Sequence, residues 1–133
     1  MFITNLFKKK KEKNEDIWNR FIDEICYANI EKETIKLNPT QQKAVLCFWY
    51  QTEMESGGHS GYFDCYPETN QQELYEALLE ISNEDIANNY QKALKNGEDD
   101  DYNETDNNYY SFNPSLFDYL LQYVIKNKED IFK

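Results

Sequence analysis

NPTQQKAVLCFWYQTEMES, residues Asn38 to Ser56, is the stretch on which the reading of this chain turns. Asn38 has a side chain that caps a helix, and Pro39 falls at the first helical position, where a missing N–H costs nothing. The helix is expected to run from Thr40 to about Glu55. Ala44, Val45, Leu46, Cys47, Phe48, Trp49 and Tyr50 are consecutive and apolar. A helix that is apolar on every side must be covered on every side, so it should pass through the middle of a domain.

Working outward from its end, MESGGHSGYF (Met54 to Phe63) gathers three of the four glycines and the only histidine within five residues of one another. Gly57 and Gly58 should break the central helix, supplying positive φ or close helix packing. GYFDCY should then form a short helix that turns Tyr62, Phe63 and Tyr66 inward before Pro67. Asn70 can cap a helix from Gln71 to Ile81 whose inner face is Leu74, Ala77, Leu78 and Ile81. Ser82 or Asn83 recaps the chain, and Asp85 suits the first turn of a helix to Lys95, ended by Asn96-Gly97. Ile86, Ala87, Tyr90, Ala93 and Leu94 line its buried side. EDDDYNETDNNYYS, residues 98–111, is polar and acidic without visible periodicity and reads as an exposed loop. Asn113-Pro114-Ser115 opens a last helix carrying Leu116, Phe117, Leu120, Leu121 and Val124.

Upstream, apolar residues come in pairs four positions apart, Ile17-Trp18, Phe21-Ile22 and Ile25-Cys26, followed by Asn29-Ile30. This gives one more helix, from Asp16 to Ile30. No strand-like alternation of useful length occurs, so the expected fold is all-α, a single domain of five to six helices over residues 14–133. Residues 1–13 read as a flexible basic arm, because Lys8, Lys9, Lys10, Lys11 and Lys13 stand together there.

Aromatic residues form 16% of the chain, enough for a core despite a mean hydropathy of -0.90. The formal charge is -11; beyond residue 13 there are 9 basic and 24 acidic residues, a balance of -15. Such a body repels nucleic acid and attracts basic surfaces. Cys26, Cys47 and Cys65 are odd in number and widely spaced, as buried thiols in a reducing cytoplasm would be. No signal-like order of charge and apolar run precedes the domain, and no segment is long enough for a membrane span.

Chemistry is sparse. Asp99, Asp101, Asn103, Thr105 and Asn107 alternate like a calcium loop, but Glu104 stands where glycine is required and Tyr110 where a bidentate carboxylate is required. No second histidine or Cys-x-x-Cys pair joins His59, so no metal or cofactor is expected. Ser56 and Ser60 beside His59 lack the strand-to-helix elbow of a nucleophile. The carboxylates are more informative as a surface. Glu73, Glu76 and Glu80 lie opposite the apolar face of their helix, and Glu84 with Asp85 continues the run. At 1.5 Å rise per residue, Glu76 and Glu80 are about 6 Å apart along the axis, a spacing able to imitate a row of phosphates.

FWYQTEMESGGHSGYF followed by QELYEALLEISNEDIANNYQKAL resembles the bacterial DNA-mimic protein 19 family over about residues 40–126. Glu55, Gly57, Gly58, Tyr62, Phe63, Ala77, Leu78 and Ala93 match its pattern, with Gly57, Gly58, Tyr62 and Phe63 as its structural signature. Ser56 replaces the usual asparagine, His59 the usual aromatic, Gly61 a polar side chain, and Ser82-Asn83 a Gly-Ala step. The resemblance implies an all-α fold and an acidic surface that occupies the DNA-binding face of a transcription factor, as a dimer.

The expected function is therefore a non-enzymatic, cytoplasmic interaction domain whose partner is a basic protein, with a DNA-binding regulator as the resemblance's choice. Glu73, Glu76, Glu80, Glu84 and Asp85 should form the binding face, with Glu98, Asp99, Asp100 and Asp101 as an auxiliary patch. The alternatives are an immunity or antitoxin-like protein that neutralises a basic toxin, and an enzyme with a cleft near His59.

Overall fold

Asn38 opens the central helix as its sequence requires. Its side-chain oxygen accepts the backbone N–H of Gln41 at 2.8 Å, and the Gln41 side chain accepts the N–H of Asn38 at 2.9 Å, closing a reciprocal capping box. A computed structural model of the chain describes residues 12–28 and 36–133. The expected arm over residues 1–13 falls almost wholly outside them, as does the Asn29-Ile30 pair.

Within the described residues the chain forms α1 (Asn14–Arg20), a wider π-helical continuation (Phe21–Tyr27), α2 (Pro39–Ser56), α3 (Gly58–Cys65), α4 (Gln71–Ile81), α5 (Glu84–Asn96), a 3-10 turn (Gly97–Asp100), α6 (Asn103–Ser111), α7 (Leu116–Lys126) and α8 (Lys128–Ile131). The architecture is all-helical, with no strand among the described residues. No described helix is long and apolar enough to cross a membrane.

Among the described residues the count of α-helices is eight, not five to six. One reason is that residues 98–111 are not a loop: they form the 3-10 turn and α6. Their periodicity is hidden because only Thr105 and Tyr109, one turn apart, are buried, and one of them is polar. Polar contacts hold the helix instead. Asn89 on α5 donates to the Thr105 carbonyl at 2.9 Å, Asn108 donates to the Asn89 side chain at 3.2 Å, and the Asp100 carboxylate accepts the N–H of Glu104 at 2.9 Å. The glycine segment likewise does more than interrupt, since α3 begins at Gly58 itself. A further short helix, α8, docks on the start of the central helix, with Gln41 and Asn38 donating to the carbonyls of Ile131 and Asp130 at 2.8 and 2.9 Å.

The N-terminal helix also departs from a plain α-helix. Its apolar pairs recur every four residues, slower than the 3.6 of an α-helix, so an ordinary helix would rotate them off the core. Widening to the π form at Phe21 lets both Phe21 and Cys26 be buried.

Helix α2 runs through the centre, as its all-round apolarity predicts, touching the π segment, α3, α4, α7 and α8. Tyr50, in its second half, has ring neighbours from three other elements, Tyr62, Tyr90 and Tyr109, at centroid distances of 5.1, 5.3 and 5.7 Å. A second aromatic group, Trp18, Phe21, Phe48 and Phe117, ties α1 and the π segment to α2 and α7. The α4–α5 pair is separated where the sequence indicates. Asn83 accepts the N–H of Ile86 at 2.9 Å and so caps α5, and Leu74, Ala77, Leu78 and Ile81 all face inward.

Candidate functional site

Two sets of residues compete as the working part of the molecule: the surface carboxylates and the glycine–histidine segment. The structure treats them very differently.

The carboxylates of the expected face are all exposed, as a polar helix stripe should be. Members of the set line three different hollows. Glu73 and Glu76 line a groove beside Lys43 and Leu46 of α2. Glu80, next along the same stripe, is bound: its two oxygens take Lys43 Nζ at 2.9 Å and the Tyr123 hydroxyl at 3.0 Å. The Lys43 hydrogen bond lowers its pKa. Asp85 lines another groove, between α5 and α6, with Asn88, Lys92 and Asn108. Glu98 belongs to a third hollow, beside Tyr90 and Tyr102, while Asp99, Asp100 and Asp101 stand exposed around it in sequence. Among the described residues, Glu73, Glu76, Glu84, Asp85, Glu98, Asp99, Asp100 and Asp101 form no ion pair. Sequence reasoning missed one more exposed acid near this end, Glu104, because it lies in the unrecognised α6; it pairs with Lys92 at 2.6 Å.

His59 is fully buried, at 0% exposure, on the first turn of α3. Both ring nitrogens have partners: Nδ1 lies 2.7 Å from Asp106 Oδ1, and Nε2 lies 2.6 Å from the Tyr50 hydroxyl. An ionised carboxylate only accepts, so Nδ1 carries the proton and Nε2 accepts the Tyr50 O–H. Burial drives the Tyr50 pKa upward, which keeps that proton in place. The same Asp106 Oδ1 accepts the backbone N–H of His59 at 3.0 Å. A carboxylate from α6, 47 residues away, thus satisfies one of the unpaired donors at the start of α3 and suits the positive end of its dipole.

Gly58 makes this contact possible. Its φ is +64°, a region where other L-residues are strained, and a Cβ there would lie 2.5 Å from Asp106 Oδ2. Gly57 packs against Gly61 across the turn, where a Cβ would come within 3.1 Å of the Gly61 Cα. Tyr62 is buried and Phe63 half-buried, both turned toward the interior as expected. The segment that looked most like a catalytic loop is a socket for a distant carboxylate. Asp106 was missed because its helix was missed; the one available signal was the Tyr102, Thr105, Tyr109 spacing of three and four.

Burial lowers the His59 pKa below 6.5, although Asp106 pulls it up. The unfolded chain therefore takes up its proton first as the pH falls. The stability due to the neutral ring is complete above about pH 6.5 and is lost as the pH drops through the folded value, with a slope of at most about 1.4 kcal/mol per pH unit. As the lone histidine, His59 gives one set of ring signals in an NMR titration. They should move with a midpoint below 6.5; a midpoint above it would mean that Asp106 outweighs burial.

Cys26 and Cys47 are buried thiols as expected, with pKa values pushed up by desolvation, whereas Cys65 is exposed.

Comparison with known proteins adds one finding. A family profile described as DMP19-like protein matches residues 35–127. No curated protein and no solved structure gives a significant match. The matched region takes in α2 to α7, including Gly58, His59 and Asp106, and covers well over half of the sequence. The chain belongs to the DMP19-like protein family.

Proposed function

We propose that this protein is a non-enzymatic, cytoplasmic interaction module that binds a basic protein, presenting its carboxylates to a DNA-binding regulator in place of nucleic acid. The observation that carries this reading is the set of exposed acids on α4, α5 and the 3-10 turn that pair with no described cation. They stand on packed helices, so little side-chain scaffold has to be ordered on binding. The family description points the same way. A catalytic use of His59 lacks support, because a general base must reach substrate and this ring is enclosed with both nitrogens occupied.

The test is capture of proteins from native lysate on the immobilised chain at low salt, with duplex DNA as competitor. A DNA-binding protein should be retained, released by salt and displaced by duplex. Changing Glu73→Gln, Glu76→Gln, Glu84→Gln and Asp85→Asn together should weaken that complex by about 100-fold at low salt. Glu80→Gln alone should change it little, because Lys43 already neutralises that carboxylate. Retention of no basic protein, or equal retention by the fourfold variant, would overturn the reading.

A further inference from the structure

A pocket of about 280 Å³ opens between α3, α5 and the turn that follows α5. Half of its lining residues are aromatic: Tyr62 and Phe63 from α3, Tyr66 just beyond it, Tyr90 from α5, and Tyr102. Tyr62 and Tyr66 stack at 5.2 Å, while Phe63 lies 5.7 Å from Tyr102 and 6.2 Å from Tyr90. Pro67, Thr69, Gln71, Leu94 and Glu98 complete the lining, which contains no lysine, arginine or histidine.

The turn is shaped to bring Tyr102 to this place. Asp101 and Tyr102 have φ values of 56° and 62°, two successive non-glycine residues in the left-handed region, where side chains other than glycine's are strained. The N–H of Tyr102 donates to the Gly97 carbonyl at 2.6 Å. Its ring lies so close over Gly97 that a Cβ there would come within 2.3 Å of Cδ1.

Tyr90 supplies a second, independent feature. Its side chain is 1% exposed, yet its hydroxyl makes no hydrogen bond to a described group. No side-chain polar atom among the described residues is both sealed from solvent and without a partner, so this hydroxyl keeps some access to solvent, and Tyr90 lines the pocket. Tyr62, by contrast, donates to Thr69 at 3.2 Å. The lining thus joins π surface, the unpaired tyrosine Tyr90 and a carboxylate, with Thr69 and Gln71 as further polar groups. The electrostatic setting is negative: burial raises the Tyr102 pKa, and Glu98, Asp64, Asp101 and Asp106 raise it further.

Each element selects against a class of ligand. An anion meets Glu98, and an apolar group desolvates Glu98 and Tyr90 without pairing them. A quaternary ammonium satisfies the rings but has no N–H to give. A planar cation with several N–H donors satisfies all three features, stacking on a tyrosine while it donates to oxygen. We propose that this pocket receives a guanidinium group, the side chain of an arginine on the basic partner. The inference rests on the interaction reading above and specifies one point of contact within it.

The probe is a capped arginine tripeptide, acetyl-Ala-Arg-Ala-amide, titrated into the full chain and followed by NMR of the tyrosine rings. Saturable shifts at Tyr90 and Tyr102, weakened about fivefold or more by Glu98→Gln, are expected. The lysine tripeptide and tetramethylammonium should bind several-fold more weakly. Absent shifts, shifts unaffected by Glu98→Gln, or equal binding of the lysine peptide would overturn the proposal. Agmatine, a free guanidinium compound, should bind no better than the peptide; binding about tenfold tighter would assign the pocket to a small molecule and overturn the partner arginine. Glu98 is exposed, so its amide variant should remain folded. If lysate capture persists while the peptide does not bind, the pocket proposal alone falls. If the peptide binds and nothing is captured, the acidic-surface reading falls and the guanidinium specificity remains.

Discussion

Replacing Asp106 with alanine should lower the stability of the fold by about 3 kcal/mol, seen as a fall of roughly 1.5 M or more in the urea midpoint. One oxygen of this carboxylate receives two donors, the His59 ring N–H at 2.7 Å and the His59 backbone N–H at 3.0 Å. Hydrogen bonds to a charged acceptor are each worth about twice a neutral one, and donors stranded in the interior carry their whole desolvation cost. The Asp106 side chain is 26% exposed, so water can enter the space it vacates and recover part of the loss. This places the effect below the sum of two stranded donors. Asp106→Asn keeps an acceptor of the same shape and should recover about half. A loss under about 1 kcal/mol in the alanine variant would show that water substitutes fully, and that the contact with His59 contributes little to folding.

Gly58→Ala should cost a similar amount, about 2–3 kcal/mol, for two reasons that act together. The left-handed backbone costs an alanine roughly 1–2 kcal/mol. The new methyl would also overlap Asp106 Oδ2, which lies 2.5 Å from where it must sit. That overlap can be relieved only by moving the carboxylate off His59. The two sites are therefore coupled, and the Gly58→Ala, Asp106→Ala double variant should be more stable than additivity predicts by about 1 kcal/mol. Gly57→Ala is the control: its Cβ meets Gly61 Cα at 3.1 Å without touching Asp106, so it should cost less and show no coupling. Strict additivity of the Gly58 and Asp106 changes would remove the steric argument.

How much of this could be read beforehand depends on what kind of contact holds each element. The central helix was legible because its signals are local: a cap residue, a proline, and seven consecutive apolar side chains. The same holds for α4 and for the Asn83 cap of α5, where the period of the apolar residues and one side-chain bond decide the boundary. Helix α6 was not legible because its stabilising partners, Asn89 and Asp100, are polar and lie outside it. Composition reads such a segment as solvated. The carboxylate stripe was correctly placed on the exposed face of α4, but whether each member is available for a partner depends on Lys43 and Tyr123, from helices before and after it in the chain. The histidine was visible and its role was not, since a buried imidazole needs a proton acceptor and the acceptor sits in the segment mistaken for a loop.

The link between positions 58, 59 and 106 also sets the terms on which this sequence can drift. A phenylalanine ring at 59 would demand no acceptor, and the carboxylate at 106 would then keep only the backbone N–H as its reason to point inward. Imidazole at 59 makes an acid at 106 useful, and that acid in turn forbids any side chain at 58. A change at one of the three positions alters which residues the other two can tolerate, so they should be exchanged between relatives as a set. A single change at position 58 or 106 that a phenylalanine at 59 would tolerate should therefore misbehave here.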